Sequence, residues 1–219
     1  PTPAVTPTPP GDETVIDAGC GTGRLTELVL ERLPHGKVIA LDQSANMLQQ
    51  AEAHLRPRFG DRVTYQRVDL AQLDLVDAAD AIFSTATFHW ITDHTLLFRS
   101  LFRALKPGGW LVAQCGGGPN IAQLNRQAQL LMRQEPFAGH FGDWTGPWLF
   151  AGADETAMRL HDAGFVDIDT HIVEAPVTLE SEDAFREFLT TVVFATHLER
   201  LPDDALREAF IERLVARST

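Results

Sequence analysis

The 219-residue chain reads as an α/β protein: a doubly wound, mostly parallel sheet with helices on both faces, followed by a C-terminal extension of helices and one strand. Three observations predict this. Short β-branched runs alternate with longer amphipathic ones, the pattern of strands joined by crossover helices. The first apolar run ends in Gly19-Cys20-Gly21-Thr22-Gly23 and a helical pattern follows at once, which puts a tight glycine turn between strand and helix. The chain is 44% hydrophobic and 22% charged, as in a globular domain with enough apolar surface for a real core.

The elements follow in order. "TVIDAG" is the first strand, and "GRLTELVLERLP" has helical periodicity ended by Pro34. "KVIALD" is the second strand. Ser44 stands as N-cap for "ANMLQQAEAHLR", a helix expected to stop before Pro57. "RVTYQRVD" and "DAIFSTAT" are the third and fourth strands. Asp93 reads as a cap for the amphipathic "DHTLLFRSLFRALKPGG", and "WLVAQCGGG" is the fifth strand. Asn120 is expected to cap "IAQLNRQAQLLMRQ". Residues 136–150 mix Phe137, Phe141, Trp144, Trp148 and Phe150 with glycine and proline, a loop with an aromatic payload. "ADETAMRLHDAGF" is a helix stopped by Gly164, and "VDIDTHIVEAPVTL" alternates like a strand. Two helices, "SEDAFREFLTTVVFATHLERL" and "PDDALREAFIERLVARS", finish the chain, the first capped by Ser181 with acidic neighbours at its N-terminus. Residues 1–13 form a proline-rich lead-in, and 14–219 read as one domain. Within it, 119–163 and 181–219 are candidate substrate-side cap elements.

The formal charge of −12 repels a phosphate backbone, so no nucleic-acid partner is expected. Cys20 and Cys115 are the only cysteines, with neither CxxC nor metal-ligand spacing, and the histidines show no metal-like pairing; no metal is expected. No apolar run approaches membrane-spanning length and no signal peptide leads the chain, so a cytoplasmic protein with no membrane partner is the expectation. No feature bears on the oligomeric state.

The glycine turn admits more than one adenosine ligand. A dinucleotide fingerprint wants G-x-G-x-x-G, but Arg24 occupies the third glycine's position. Asp42, about twenty positions on, suits the two hydroxyls of an adenosine ribose, a feature shared by dinucleotide and S-adenosylmethionine sites. Taken together, "VIDAGCGTG", "ALDQS", "VDL" and "LKPGG", in that order, resemble the class I S-adenosylmethionine-dependent methyltransferases, whose sheet is Rossmann-like. The resemblance covers roughly residues 12–118. "FSTATFHWITDHTLLFRSLFRALKPGG", "GPWLF" and "LHDAGF" are in addition similar to the trans-aconitate methyltransferase group and its small-molecule O-methyltransferase relatives.

That resemblance implies roles. Asp17 organises the glycine loop and the cofactor's methionine amino end, while Gly19, Gly21 and Gly23 let the cofactor lie against backbone. Asp42 takes the ribose, assisted by Gln43. Met47 packs on the adenine, or else is simply core. Asp69 and Leu70 meet the adenine, and Ser84 and Thr85 reach the amino-acid end. His89 and Trp90 lie where the acceptor meets the sulfonium. His89 reads as orienting a carboxylate, as taking a hydroxyl proton, or as a packing residue. His140, Trp144 and Trp148 are candidate substrate contacts in the aromatic loop. The implied enzyme transfers a methyl group from S-adenosylmethionine to a small-molecule acceptor, at a carboxylate or hydroxyl oxygen, releasing S-adenosylhomocysteine. The rival readings are an NAD(P)-dependent oxidoreductase, disfavoured by Arg24 and "LKPGG", and a non-catalytic S-adenosylmethionine-binding protein. Two departures stand out: family members carry helices before the first strand and a further strand after the last helix, where this chain shows a proline-rich lead-in and a helix.

Overall fold

The computed structural model describes residues 11–217; most of the proline-rich lead-in lies outside them. By contacts the chain forms two units, one of residues up to Gly118 with Trp148–Ile172, the other of Pro119–Pro147 with residues from Val173 onward. The expected cap segment 119–163 therefore divides: 119–147 belong to the second unit and 148–163 to the first.

The first unit is built on five parallel strands, β1 (Thr14–Ala18), β2 (Lys37–Asp42), β3 (Val63–Arg67), β4 (Ala79–Thr85) and β5 (Leu105–Gln114), in the order β3-β2-β1-β4-β5. Strand alternation sends side chains to both faces, and both faces are apolar. Val15, Val38, Ala40 and Ala81 pack with Leu30 of α1 (Arg24–Arg32) and Leu48, Ala51 and Leu55 of α2 (Ala45–Phe59). Ile16, Ala18, Leu41 and Ile82 face the other way, onto Leu97, Phe98 and Leu101 of α3 (His94–Ala104), with Leu160 and Ala163 of α6 (Ala153–Ala163) beside them. The doubly wound sheet expected from the alternating pattern is present.

Several local expectations hold for the reasons given. Ser44 accepts from Met47 N–H at 3.3 Å, Asp93 from Leu96 N–H at 2.9 Å and Ser181 from Ala184 N–H at 3.1 Å. Gly164 ends α6 with φ +111° and returns its N–H to His161 O at 3.0 Å.

Others fail. Helix α2 does not stop before Pro57; it runs through it to Phe59, because a proline in the last turn removes a single N–H and Gly60 N–H still caps Arg56 O. Asn120 does not cap the next helix, α4 (Ala122–Met132). Ile121, at φ +47°, is the half-in residue, and Asn120 lies one position too early for its side chain to reach the first free N–H groups. The "LKPGG" segment belongs to β5, where register jumps from Ala79↔Leu105 to Ala81↔Trp110.

The alternating run 166–179 pairs with no strand among the described residues. Val166, Val173 and Val177 are 81%, 71% and 71% exposed. β-Propensity expresses fit to a neighbouring strand, and none lies alongside. The second unit holds α4, the short α5 (Ala138–Phe141), α7 (Glu182–Phe188), α8 (Ala195–Leu198) and α9 (Asp204–Val215). The helix expected over 181–201 is broken by a π-helical turn at Leu189–Val193. There Thr190 and Thr191 hydroxyls bond back to Arg186 O and Glu187 O, both at 2.8 Å, and Phe194 N–H reaches Leu189 O, so β-branched crowding and side-chain competition loosen the α-helical ladder.

Candidate active site

In this strand order β1 lies between β2 and β4, so successive crossovers leave in opposite directions and open a crevice at the carboxyl ends of the strands. The candidate cofactor residues gather there. Asp17, near the end of β1, is buried and accepts Thr26 Oγ1–H at 2.6 Å. Burial pushes its pKa up to about 6, the Thr26 bond opposing and the nearby Asp42 carboxylate adding to the rise. Thr26 carries no motif signal; only its place on the buried stripe of α1 hints at a partner.

The loop after β1 is anchored by Gly19 and Cys20 N–H groups on Leu41 O, at 2.8 and 2.9 Å. Its glycines have different reasons. Gly19 has φ +89° and a side chain there would fall on Thr87. Gly23 opens α1 against Leu55 and Ala51. Of the three, Gly21 alone faces open space. Arg24 is the first residue of α1.

Asp42, at the end of β2, accepts Gly21 N–H on Oδ2 at 2.9 Å and Ser44 N–H on Oδ1 at 2.8 Å. These bonds aim the carboxylate across the loop and leave each oxygen a second acceptor site. Gln43 and Met47 are exposed, and Gln43 O accepts Arg67 Nε–H at 3.0 Å. Asp69 accepts Ala71 N–H at 3.0 Å as the cap of a 3₁₀ turn beginning at Leu70, whose side chain is buried. Ser84 is buried, its hydroxyl tying β4 to β1 through Ala18 O at 2.6 Å, so its side chain is structural. Thr85 O accepts Thr87 Oγ1–H at 2.9 Å. Thr87, unmarked in the sequence, fills the space beside Gly19 and so sets the loop's position.

His89 lies in the 3₁₀ turn Phe88–Trp90 that follows β4. Its Nδ1 accepts Gly116 N–H at 3.2 Å, its carbonyl accepts Leu149 N–H at 2.9 Å, and its ring stacks on Phe150 with centroids 5.5 Å apart. Burial first, with a smaller contribution from the neighbouring His94, pushes the imidazole's pKa down. A backbone N–H on Nδ1 makes that nitrogen an acceptor, so the proton of the neutral ring sits on Nε2. Trp90 and Trp148 meet with centroids 6.0 Å apart, and Trp148 stacks on Phe150 at 5.7 Å. The structure thus brings His89, Trp90 and Trp148 together.

His140 and Trp144 belong to the second unit, where Trp144 packs on Phe141 and His197 beneath the Arg200 guanidinium. Phe150 and Gly116, which hold His89, went unmarked as site residues because their roles arise only when distant loops meet. Among the described residues no group of three or more His, Cys, Asp or Glu is placed to hold a metal, and no helix is long and apolar enough to cross a membrane.

A family model described as a methyltransferase domain matches residues 15–109. Trans-aconitate 2-methyltransferase from Acidovorax sp. (strain JS42) is 30% identical over 216 residues, covering 95% of this chain and 78% of that protein. The protein of the same name from Azoarcus sp. (strain BH72) is 33% identical over 157 residues, 71% of this chain and 54% of its own length. Among solved structures, an N-methyltransferase from Haemonchus contortus in complex with phosphomonomethylethanolamine and S-adenosylhomocysteine superposes with a TM-score of 0.57 at 20% identity, covering 94% of this chain and 43% of that one. At that identity the likeness is one of fold.

Proposed function

The chain belongs to the class I S-adenosylmethionine-dependent methyltransferases, and from that premise we propose that it methylates a carboxylate oxygen of a small organic acid. The observation that carries the acceptor class is the Gly116 N–H on His89 Nδ1. It leaves His89 with a fixed Nε2–H donor and no free basic nitrogen. A donor suits an ionised carboxylate, which needs orientation and no base. A hydroxyl acceptor would need the lone pair that Gly116 already occupies. The relatives are named for trans-aconitate, a polycarboxylate, which points the same way.

The residues present fit the cofactor. Asp42 has spare acceptor capacity beside the open space at Gly21, and would hold the ribose hydroxyls with Gln43 alongside. Asp69 and the Leu70 backbone would meet the adenine, with Met47 exposed nearby on α2. Asp17 and the Ser84–Thr85 backbone would meet the amino-acid end. When bound, S-adenosylmethionine supplies a sulfonium-activated methyl group for in-line displacement by an oxygen. His89 orients the acceptor, and Trp90, Trp148 and Phe150 exclude water around it.

Turnover of small carboxylic acids, trans-aconitate first, against phenols and alcohols tests this, with S-adenosylhomocysteine as readout. We expect methyl esters from acids and no transfer to phenols; transfer to phenols alone would overturn the reading. His89→Ala should lower kcat/KM for the acid by about ten- to a hundredfold, the loss of a charge-assisted hydrogen bond, with cofactor affinity retained. His89→Gln, which keeps a donor, should recover part of it.

A further inference from the structure

The face of the sheet that packs on α1 and α2 is apolar at Val15, Val38, Ala40 and Ala81, and a carboxylate is set among them. Asp17, two residues after Val15 on β1, turns to that same face by strand alternation and is 2% exposed. It lies on an inner strand, paired with Ala40 of β2 and Phe83 of β4. The titratable groups that face it are both acidic, the Asp42 carboxylate of β2 and the Cys20 thiol of the glycine loop. The thiol is itself pushed up to about 12 and stays neutral. Among the described residues no cation acts on Asp17. A buried carboxylate in that position is costly to keep ionised.

One group offsets that cost. Thr26, the third residue of α1, is fully buried and donates its hydroxyl to Asp17 Oδ2 at 2.6 Å. That is the length of a hydroxyl-to-carboxylate bond, one of the stronger kinds, and it opposes the rise that burial imposes. The threonines of the π-helical turn behave otherwise: Thr190 and Thr191 donate to carbonyls four residues back on their own helix, the ordinary choice inside a helix. Thr26 spends its one O–H across the interface, on a charged group. Its β-branched side chain is stiff at χ1, so the oxygen it holds is fixed in direction and Oδ1 is fixed with it.

We propose that Thr26 is a positioning residue for the cofactor: its hydroxyl holds the Asp17 carboxylate in the orientation that receives the ammonium group at the amino-acid end of S-adenosylmethionine. The proposal rests on the reading that places Asp17 at that end. Fully buried, Thr26 acts only through Asp17. The ammonium supplies the cation that the chain itself does not place beside Asp17, and the carboxylate must be ionised to meet it. With a pKa of about 6 in the free protein, Asp17 takes up a proton below that pH. Affinity for the cofactor is therefore full above about pH 7 and falls as the pH drops through about 6.

S-Adenosylhomocysteine, which keeps the same amino-acid end, titrated by calorimetry between about pH 5 and pH 8, tests this, with the Asp17 carboxyl ¹³C signal of the free protein followed by NMR. Thr26→Val, of the same shape without the donor, should move both the loss of affinity and the ¹³C midpoint upward by about one pH unit, the worth of a charge-assisted hydrogen bond. Thr26→Ser should restore both, and Thr26→Ala carries the same expectation as Thr26→Val should the latter not fold. Asp17→Asn should bind weakly at every pH and lose the acid limb. A wild-type affinity that ignores pH, or an Asp17→Asn protein that binds as the wild type does, would remove Asp17 from the amino-acid end and the proposal with it. An acid limb that vanishes in Asp17→Asn yet is the same in wild type and Thr26→Val would overturn the role of Thr26 and leave that of Asp17 standing.

Discussion

At the scale of single residues, Asp42 shows how one carboxylate can hold the fold and keep acceptor sites free for a ligand. Two backbone N–H groups fix it, so in the proposed ribose role it is already oriented and little side-chain entropy would be lost on binding. Asp42→Ala should weaken S-adenosylmethionine binding by about 1–3 kcal/mol, measured by calorimetry; unchanged affinity would remove the ribose role. Asp42 was legible because an acid at the end of the second strand is a positional signal. Thr26 and Thr87 were not, since a threonine's partner is set by which segments meet. His89 was legible as a candidate, but the contact on which its proposed role rests comes from Gly116, 27 positions away.

At the scale of elements, local chemistry settled most helix starts and tertiary context settled the exceptions. Asp203 accepts Leu206 N–H at 2.8 Å at the start of α9, whose Phe210, Ile211, Leu214 and Val215 are buried. Asp203→Ala should therefore cost about 1 kcal/mol, seen as a lower urea midpoint with unchanged slope. The strands of the sheet were readable because each combines a β-branched run with a turn. Residues 166–179 carry the same alternation, yet form no strand, because a ladder needs a partner. Pro57 and the threonines of the π-helical turn show the converse. A single breaker ends a helix only when no neighbouring bonds carry the backbone past it.

At the scale of the whole molecule, two buried ionisable groups pull stability in opposite directions with pH. His197, buried among Phe141, Trp144, Phe194 and Phe210, has its pKa pushed down from 6.5 to about 4, by burial first and then by the charge of Arg200. It is neutral in the fold and takes up a proton on unfolding, so its contribution is present above about pH 6.5 and is lost as pH falls toward 4, by up to about 3 kcal/mol. Asp17, raised from 3.8 to about 6, keeps its proton in the fold through part of that window, so its contribution declines as pH rises through it. Urea midpoints between pH 7 and 4.5 should fall on the acid side. His197→Phe should flatten that fall and Asp17→Asn should steepen it; a wild-type midpoint that rose on acidification would contradict the assignment.

The sequence by itself determined the parallel α/β sheet, written in short segments of apolar alternation and a glycine turn, and it pointed to the methyl donor through the family resemblance that "VIDAGCGTG", "ALDQS", "VDL" and "LKPGG" carry together. Which of the candidate residues touch one another was decided only by tertiary structure. Trp148 joined His89 and Trp90 while His140 and Trp144 went to the other unit, although all three lie in one aromatic run. The tautomer of His89 was likewise fixed by a backbone amide, which nearly every residue type carries, so its placement leaves no mark on the order of side chains.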